Sequence, residues 1–177
     1  IEKPRTALGW KGFAADPYLD GTHDIITGLK RARALLQEIN DMGVPAAMEF
    51  LNPACALYYQ DLISWGCIGA RTCESQPHRE FSSGLSMPIG IKNTCSGNIQ
   101  SAVNAILTVN QAHSYVGNDF SGTNKIVKTT GNQFCHLILR GSEHQPNYDK
   151  SSLVYASKLL AKHRCLPKIM IDCSHGN

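Results

Sequence analysis

The chain has 177 residues, 42% of them hydrophobic and 18% charged, with a formal net charge of +3. That length suits one globular domain with a real core, and the composition excludes a disordered chain. The charge is too mild and the basic residues too scattered for a nucleic-acid binder, and no apolar run approaches the ~20 residues of a membrane helix.

In chain order, Ile25, Ile26, Leu29, Ala32, Leu36 and Ile39 recur at helical spacing, with Lys30, Arg31 and Arg33 on a solvated opposite face. Gly43 ends that helix. The apolar stretch 45–51 predicts a strand, and 54–65 a helix. Residues 67–72 predict a second strand, and 77–84 a short helix with Pro77 in its first turn. A third strand is expected over 88–93. Ile99, Ala102, Val103, Ile106 and Leu107 mark another amphipathic helix. The Gly-, Asn-, Ser- and Thr-rich region 113–133 suits a hairpin or a lid loop. A fourth strand follows over 135–140, a helix over 151–163 with Ser151 as its N-cap, and a fifth strand over 168–175. Strands alternating with helices imply a parallel sheet with right-handed crossovers, and their near-continuous apolar character implies burial on both faces. The pattern alone leaves an open doubly wound sheet and an eightfold barrel both possible.

Seven cysteines stand at 55, 67, 73, 95, 135, 165 and 173, none in a CxxC pair. A zinc knuckle is therefore disfavoured. An odd count without a visible signal peptide suits a reducing cytoplasm.

The charges gather at predicted strand ends. Arg71, Lys92, Arg140 and His175 each lie there, Glu49 lies near the end of the first strand, and Lys3 and Arg5 precede the first helix. In a parallel α/β protein these ends share one side, the side where active sites form. Cations converging there predict a substrate with several negative charges, since a lone buried cation is costly. The bland alternative is a local carboxylate for each cation, with Glu74 and Glu80 as partners for Arg71 or Arg79. His175 is a candidate metal ligand and Cys173 a weaker one. Histidines 23, 78, 113, 136, 144 and 163 are expected to be structural or solvated.

Taken together, the segments Glu2-Lys-Pro-Arg-Thr6, Gly9-Trp-Lys-Gly12, Gly69-Ala-Arg-Thr-Cys-Glu-Ser-Gln76, His78-Arg-Glu80, Gly84-Leu-Ser86, Lys92-Asn93, Ile138-Leu-Arg-Gly141, Pro146-Asn-Tyr148 and Ile171-Asp-Cys-Ser-His-Gly-Asn177 resemble the class I 3-deoxy-7-phosphoheptulonate (DAHP) synthase family. They run in the family's order across the whole chain. The resemblance implies a (β/α)8 TIM-type barrel, of which residues 1–177 form a single partial domain from about the end of strand two to strand seven. It implies a metal-dependent transferase that condenses phosphoenolpyruvate with D-erythrose 4-phosphate and water, the first step of the shikimate pathway toward aromatic amino acids. Arg71, Lys92 and Arg140 would hold phosphoenolpyruvate. Lys3, Pro4, Arg5 and Thr6 would form the erythrose 4-phosphate site. Lys3, Lys92 and His175 would serve the reacting centre, with His175 a ligand of a divalent metal such as manganese or iron.

The family's other metal ligands, a cysteine on the first strand and acidic residues beyond the seventh, have no counterpart in this chain. Residues 1–177 are therefore expected to be inactive alone. The full-length protein is expected to be a cytoplasmic homo-oligomer without nucleic-acid or membrane partners. An aromatic amino acid is the expected feedback inhibitor, with Gly84-Leu-Ser-Met-Pro88 and the Asp172–Asn177 ending closer to the tyrosine-sensitive form. Asn52 stands where aspartate is common beside the inhibitor site, so altered feedback is expected. The loop Asn93-Thr-Cys-Ser-Gly97 departs from the family's Asn-Gly-Thr-Asp-Gly, and the segment 117–122 also departs from the family's loop. The alternatives are a non-catalytic truncated remnant of such a barrel and a related synthase using another sugar phosphate.

Overall fold

The computed structural model describes residues 1–4 and 8–177. Its main sheet has five strands: β1 (Ala47–Glu49), β2 (Trp65–Ile68), β3 (Ile89–Lys92), β6 (His136–Leu139) and β7 (Ile169–Ile171), in that spatial order and all parallel. Between β3 and β6 the chain makes the antiparallel hairpin β4 (Ser114–Asn118) and β5 (Asn124–Lys128), a separate two-stranded sheet. That decides region 113–133 in favour of the hairpin. The helices are α1 (Ile25–Asp41), α2 (Pro53–Ala56), α3 (Gln76–Ser82), α4 (Ile99–Val109) and α5 (Lys150–Lys162). No helix among the described residues is long and apolar enough to cross a membrane.

The expected burial of the strands on both faces holds for the middle of the sheet. Ile68, Ile89, Ile91, Leu137, Ile138 and Leu139 are all essentially inaccessible. Helix α4 covers β3 and β6 and packs against α3 and α5, burying Ala102, Val103, Ala105 and Ile106. Gly90 is needed in β3 because a Cβ there would run into Ile138 and Trp65.

Four local expectations are corrected. The helix expected over 54–65 is only α2, followed by a short 3-10 turn (Gln60–Leu62), and Trp65 already belongs to β2. Tyr59 breaks the run with φ −148°, which lets its ring be fully buried and its hydroxyl reach Glu2 at 2.7 Å. Strand β2 ends at Ile68, not at residue 72. The chain leaves the sheet at Gly69, where a Cβ would strike the Glu49 carboxylate, and turns with Thr72 N–H donating to Gly69 O. Asp149, not Ser151, caps α5, accepting from the N–H groups of Ser151 and Ser152 as a good N-cap does. Strand β7 ends at Ile171, so Cys173 and His175 do not continue its alternation. The Asp172 carboxylate takes the Ser174 N–H at 3.0 Å and turns the chain, leaving His175 with φ 62°. The solvated face of α1 is also more engaged than expected: Arg33 pairs with Asp61 at 2.7 Å, and Arg31 lies over the rings of Phe13 and Tyr18.

Candidate active site

Parallel pairing brings the C-terminal ends of all five main-sheet strands to one side. The candidate residues found there fall into two groups. Lys3, Pro4 and Arg71 line one cleft of about 470 Å³, together with Glu49 and Asn52. Arg140 and His175 line another, of about 420 Å³. Lys92 lies at the end of β3 and reaches toward β7. Arg5 and Thr6 lie outside the described residues.

The first group is carried on loops. Lys3 is held by its backbone, whose N–H donates to Lys11 O at 2.9 Å. The neighbouring Glu2 fastens this segment to the sheet. Its carboxylate accepts from Leu51 N–H at 2.9 Å, Asn52 N–H at 3.2 Å and the Tyr59 hydroxyl at 2.7 Å. Burial, reinforced by the Glu2 charge, pushes the Tyr59 hydroxyl pKa far up, so it stays a donor. On the other side of Leu51, its carbonyl meets His78 Nε2 at 3.0 Å, and His78 Nδ1 meets Ser75 Oγ at 2.8 Å. The Leu51 peptide thus ties the segment bearing Lys3 to the loop bearing Arg71.

Arg71 is exposed and makes no ion pair among the described residues. The local-carboxylate alternative therefore fails for it. Glu74 accepts from the Ser101 hydroxyl, Glu80 accepts from the Gln76 amide, and Arg79 donates to Cys73 O.

The second group sits on strand ends. Lys92 Nζ lies 2.9 Å from Asp172 Oδ2, with both side chains only 13% exposed. Here a carboxylate partner does exist, and sequence reasoning gave Asp172 no role. Burial acts to raise the Asp172 pKa, but hydrogen bonds from Lys92, the Ser174 hydroxyl and the Ser174 N–H outweigh it and hold the group well below the usual carboxylate range. The same oxygen of Asp172 meets His175 Nδ1 at 3.0 Å. Arg140 makes no ion pair among the described residues, and its Nε is buried without a hydrogen-bond partner. An orphaned guanidinium N–H is a site waiting for an acceptor.

His175 suits a metal as a single donor: its Nδ1 is occupied by Asp172, which fixes the ring, and its Nε2 has no hydrogen-bond partner among the described residues, as for many metal-bound imidazoles. No group of three or more His, Cys, Asp or Glu side chains suited to a metal occurs among the described residues. Cys173 is exposed and turns its Sγ back to Ile171 O, so it does not join His175. His78, His113 and His136 are hydrogen-bonded structural residues, as expected.

A further cleft of about 410 Å³ lies between α2, α3 and the hairpin, lined by Pro53, Leu57, Phe81, Leu85, Tyr115 and Val127 among others. It contains none of the candidate residues.

The sequence matches the DAHP synthetase I family over residues 1–177. A Tyr-sensitive phospho-2-dehydro-3-deoxyheptonate aldolase of Salmonella typhimurium is 47% identical over 100% of this chain and 49% of its own length. A Trp-sensitive counterpart from Enterobacter agglomerans is 48% identical over 100% of this chain and 51% of its length, and a Phe-sensitive one from Escherichia coli is 47% identical over 100% and 50%. A solved phospho-2-dehydro-3-deoxyheptonate aldolase from Francisella tularensis SCHU S4 superposes with a TM-score of 0.97 at 47% identity, covering 100% of this chain and 52% of that one. The chain thus spans about half the length of the curated relatives it matches.

Proposed function

This chain belongs to the DAHP synthetase I family, and we propose that the full-length protein containing it is a DAHP synthase. It condenses phosphoenolpyruvate with erythrose 4-phosphate and water to the seven-carbon phosphate plus inorganic phosphate, the entry reaction of aromatic amino acid synthesis. The observation that carries this reading is the set of cations at one side of a parallel sheet. Among the described residues Arg71 has no ion-pair partner there, and Arg140 holds a buried unpartnered Nε. A substrate with a phosphate and a carboxylate supplies acceptors for both. Arg71, Lys92 and Arg140 would grip phosphoenolpyruvate, while Lys3 and Pro4, with Arg5 and Thr6, would hold erythrose 4-phosphate. Held in this way, C3 of phosphoenolpyruvate attacks the aldehyde, water adds at C2 and phosphate leaves. Most of the residues' work is to align two anions that repel each other in solution. A divalent metal held through His175 Nε2 and donors outside this chain would polarise the aldehyde oxygen as a Lewis acid.

The reading extends to the fold, as one partial domain of a (β/α)8 barrel. The strand order never reverses along the main sheet, whereas doubly wound sheets reverse at a switch point. With right-handed crossovers, a monotonic order puts the connecting helices on one face, as in a barrel. It also extends to regulation. The relatives' names specify tyrosine, tryptophan or phenylalanine sensitivity at 47–48% identity, so identity does not select one effector. The cleft bearing Phe81 and Tyr115 is an apolar, aromatic-lined place for such a ligand, and Asn52, on the first cleft's wall, immediately precedes its Pro53. Seven free cysteines support a cytoplasmic setting. The remnant and the synthase of another sugar phosphate are not favoured by a family match that runs over the whole chain.

The test is to purify the full-length protein with manganese and follow loss of phosphoenolpyruvate. Consumption should require erythrose 4-phosphate and fall by about 100-fold or more in Arg71→Ala and in Lys92→Ala. Consumption with a different aldose phosphate, and none with erythrose 4-phosphate, would overturn the reading.

A further inference from the structure

Three asparagine side chains lie behind Arg140, none of them able to reach a substrate as a charge. Asn93 follows Lys92 at the end of β3 and is fully buried. Its amide nitrogen donates to Thr94 O and to Gly141 O, each at 2.9 Å. Its oxygen accepts from the Arg140 backbone N–H at 2.9 Å and from Asn147 Nδ2 at 3.1 Å. All four of its hydrogen-bonding positions are used. Asn147 Oδ1 accepts from Gly141 N–H at 2.7 Å, and Asn147 N–H donates to Asn177 Oδ1 at 2.8 Å. Asn177 Nδ2 donates to Leu139 O at 3.0 Å, and Gly176 N–H donates to Arg140 O at 3.0 Å. Gly141, with φ +75°, lies in direct backbone contact with Gly176, where a Cβ on either would collide.

The backbone of residues 139–141 is therefore fixed on all sides, while the Arg140 Nε is buried without a hydrogen-bond partner among the described residues. Strand pairing ends at Leu139, whose carbonyl also accepts the Asp172 N–H at 2.9 Å, so the sheet ladder itself does not hold Arg140 and Gly141. Carboxamides suit the task because they satisfy backbone donors and acceptors without placing a negative charge beneath an anion site. A carboxylate in the place of Asn93 would oppose the carbonyls of Thr94 and Gly141 and compete for the guanidinium.

We infer that Asn93, Asn147 and Asn177 form a positioning network that holds Arg140 ready for the anion of phosphoenolpyruvate, an inference that rests on the function proposed above. Direct binding of phosphoenolpyruvate alone to the full-length protein, followed by calorimetry, provides the test. The dissociation constant should rise about 10-fold or more in Asn93→Ala and in Asn147→Ala, while the KM for erythrose 4-phosphate stays within about twofold, because the segment bearing Lys3 and Pro4 is held by other contacts. Asn147→Asp keeps the acceptor for Gly141 N–H but sets a carboxylate oxygen against Asn93 Oδ1 and a negative charge behind Arg140, so it should bind phosphoenolpyruvate no better than Asn147→Ala. If Asn93→Ala does not fold, Asn147→Ala and Asn177→Ala decide. Variants that lose thermal stability yet bind phosphoenolpyruvate as wild type does would overturn the inference alone. A wild-type protein that does not bind phosphoenolpyruvate would overturn the function reading, and this inference with it.

Discussion

Lys3 and Arg71 are carried on loops, whereas Lys92 and Arg140 leave the ends of paired strands. The loop group is fastened by a carboxylate and an imidazole, Glu2 and His78, which grip opposite sides of the Leu51 peptide. The strand-end group is fastened by neutral carboxamides and by two glycines in backbone contact. The difference shows two ways to hold a cation for an anionic ligand. Where the fastening carboxylate is already engaged by two backbone N–H groups and a hydroxyl, as Glu2 is, a charge-assisted bond gives the stronger anchor. Where it lies directly behind the guanidinium, a neutral group holds the backbone without offering the cation a rival partner. Lys92 is the exception, sharing Asp172 with His175, so a ligand of Lys92 must compete with a carboxylate already in place.

The comparison can be broken most sharply at Glu2. Glu2→Ala removes the acceptor of two backbone N–H groups and of the buried Tyr59 hydroxyl. Urea unfolding of the full-length protein should show a loss of about 3 kcal/mol. A loss no larger than that of Asn147→Ala would mean that the charged fastening is not the stronger one. A smaller change sharpens the same point: Tyr59→Phe leaves Glu2 its two backbone donors and should lower stability by about 1 kcal/mol in the same measurement.

The smallest signal should come from the floor beneath both regions. Burial pushes the thiols of Cys67 in β2 and Cys135 beside β6 up to about 12, with the Glu49 charge adding to the effect at Cys67. An unfolded thiol titrates near 8.5. Above about 8.5 the folded state keeps protons that the unfolded state releases. These thiols therefore contribute fully below that pH, and the contribution declines as pH rises toward 12. At pH 8 a thiol reagent should leave both unmodified in the native protein and label them once it is unfolded, read by mass spectrometry. Rapid native labelling of either would show that the strands are less closed than their burial indicates.

The order of elements, the parallel pairing and the strand-end placement of Lys92 and Arg140 were legible in the sequence, because apolar runs, glycines and prolines are local signals. The local signal failed where a side chain was recruited from afar. A helix through Tyr59 is a sound local expectation, but the ring is pulled into the core by a hydrogen bond to a residue 57 positions away. The end of β2 was misplaced because nothing near Gly69 announces the Glu49 carboxylate packed against it. Asp172 carried a visible turn signal in the Ser174 that follows it, yet its pairing with Lys92 depends on β3 and β7 flanking the same strand.

The sequence by itself therefore determined that Lys92 and Arg140 stand at strand ends and, through motifs in the family's order, which family the chain belongs to, whereas Arg71 and His175 lie beyond the strands expected to carry them. Only the tertiary structure decided which cations share a cleft, which are already paired and what holds each in place. Those outcomes depend on bonds such as that from Asn93 to Gly141, 48 residues apart, and such partners are chosen by the register of the sheet and not by neighbours along the chain.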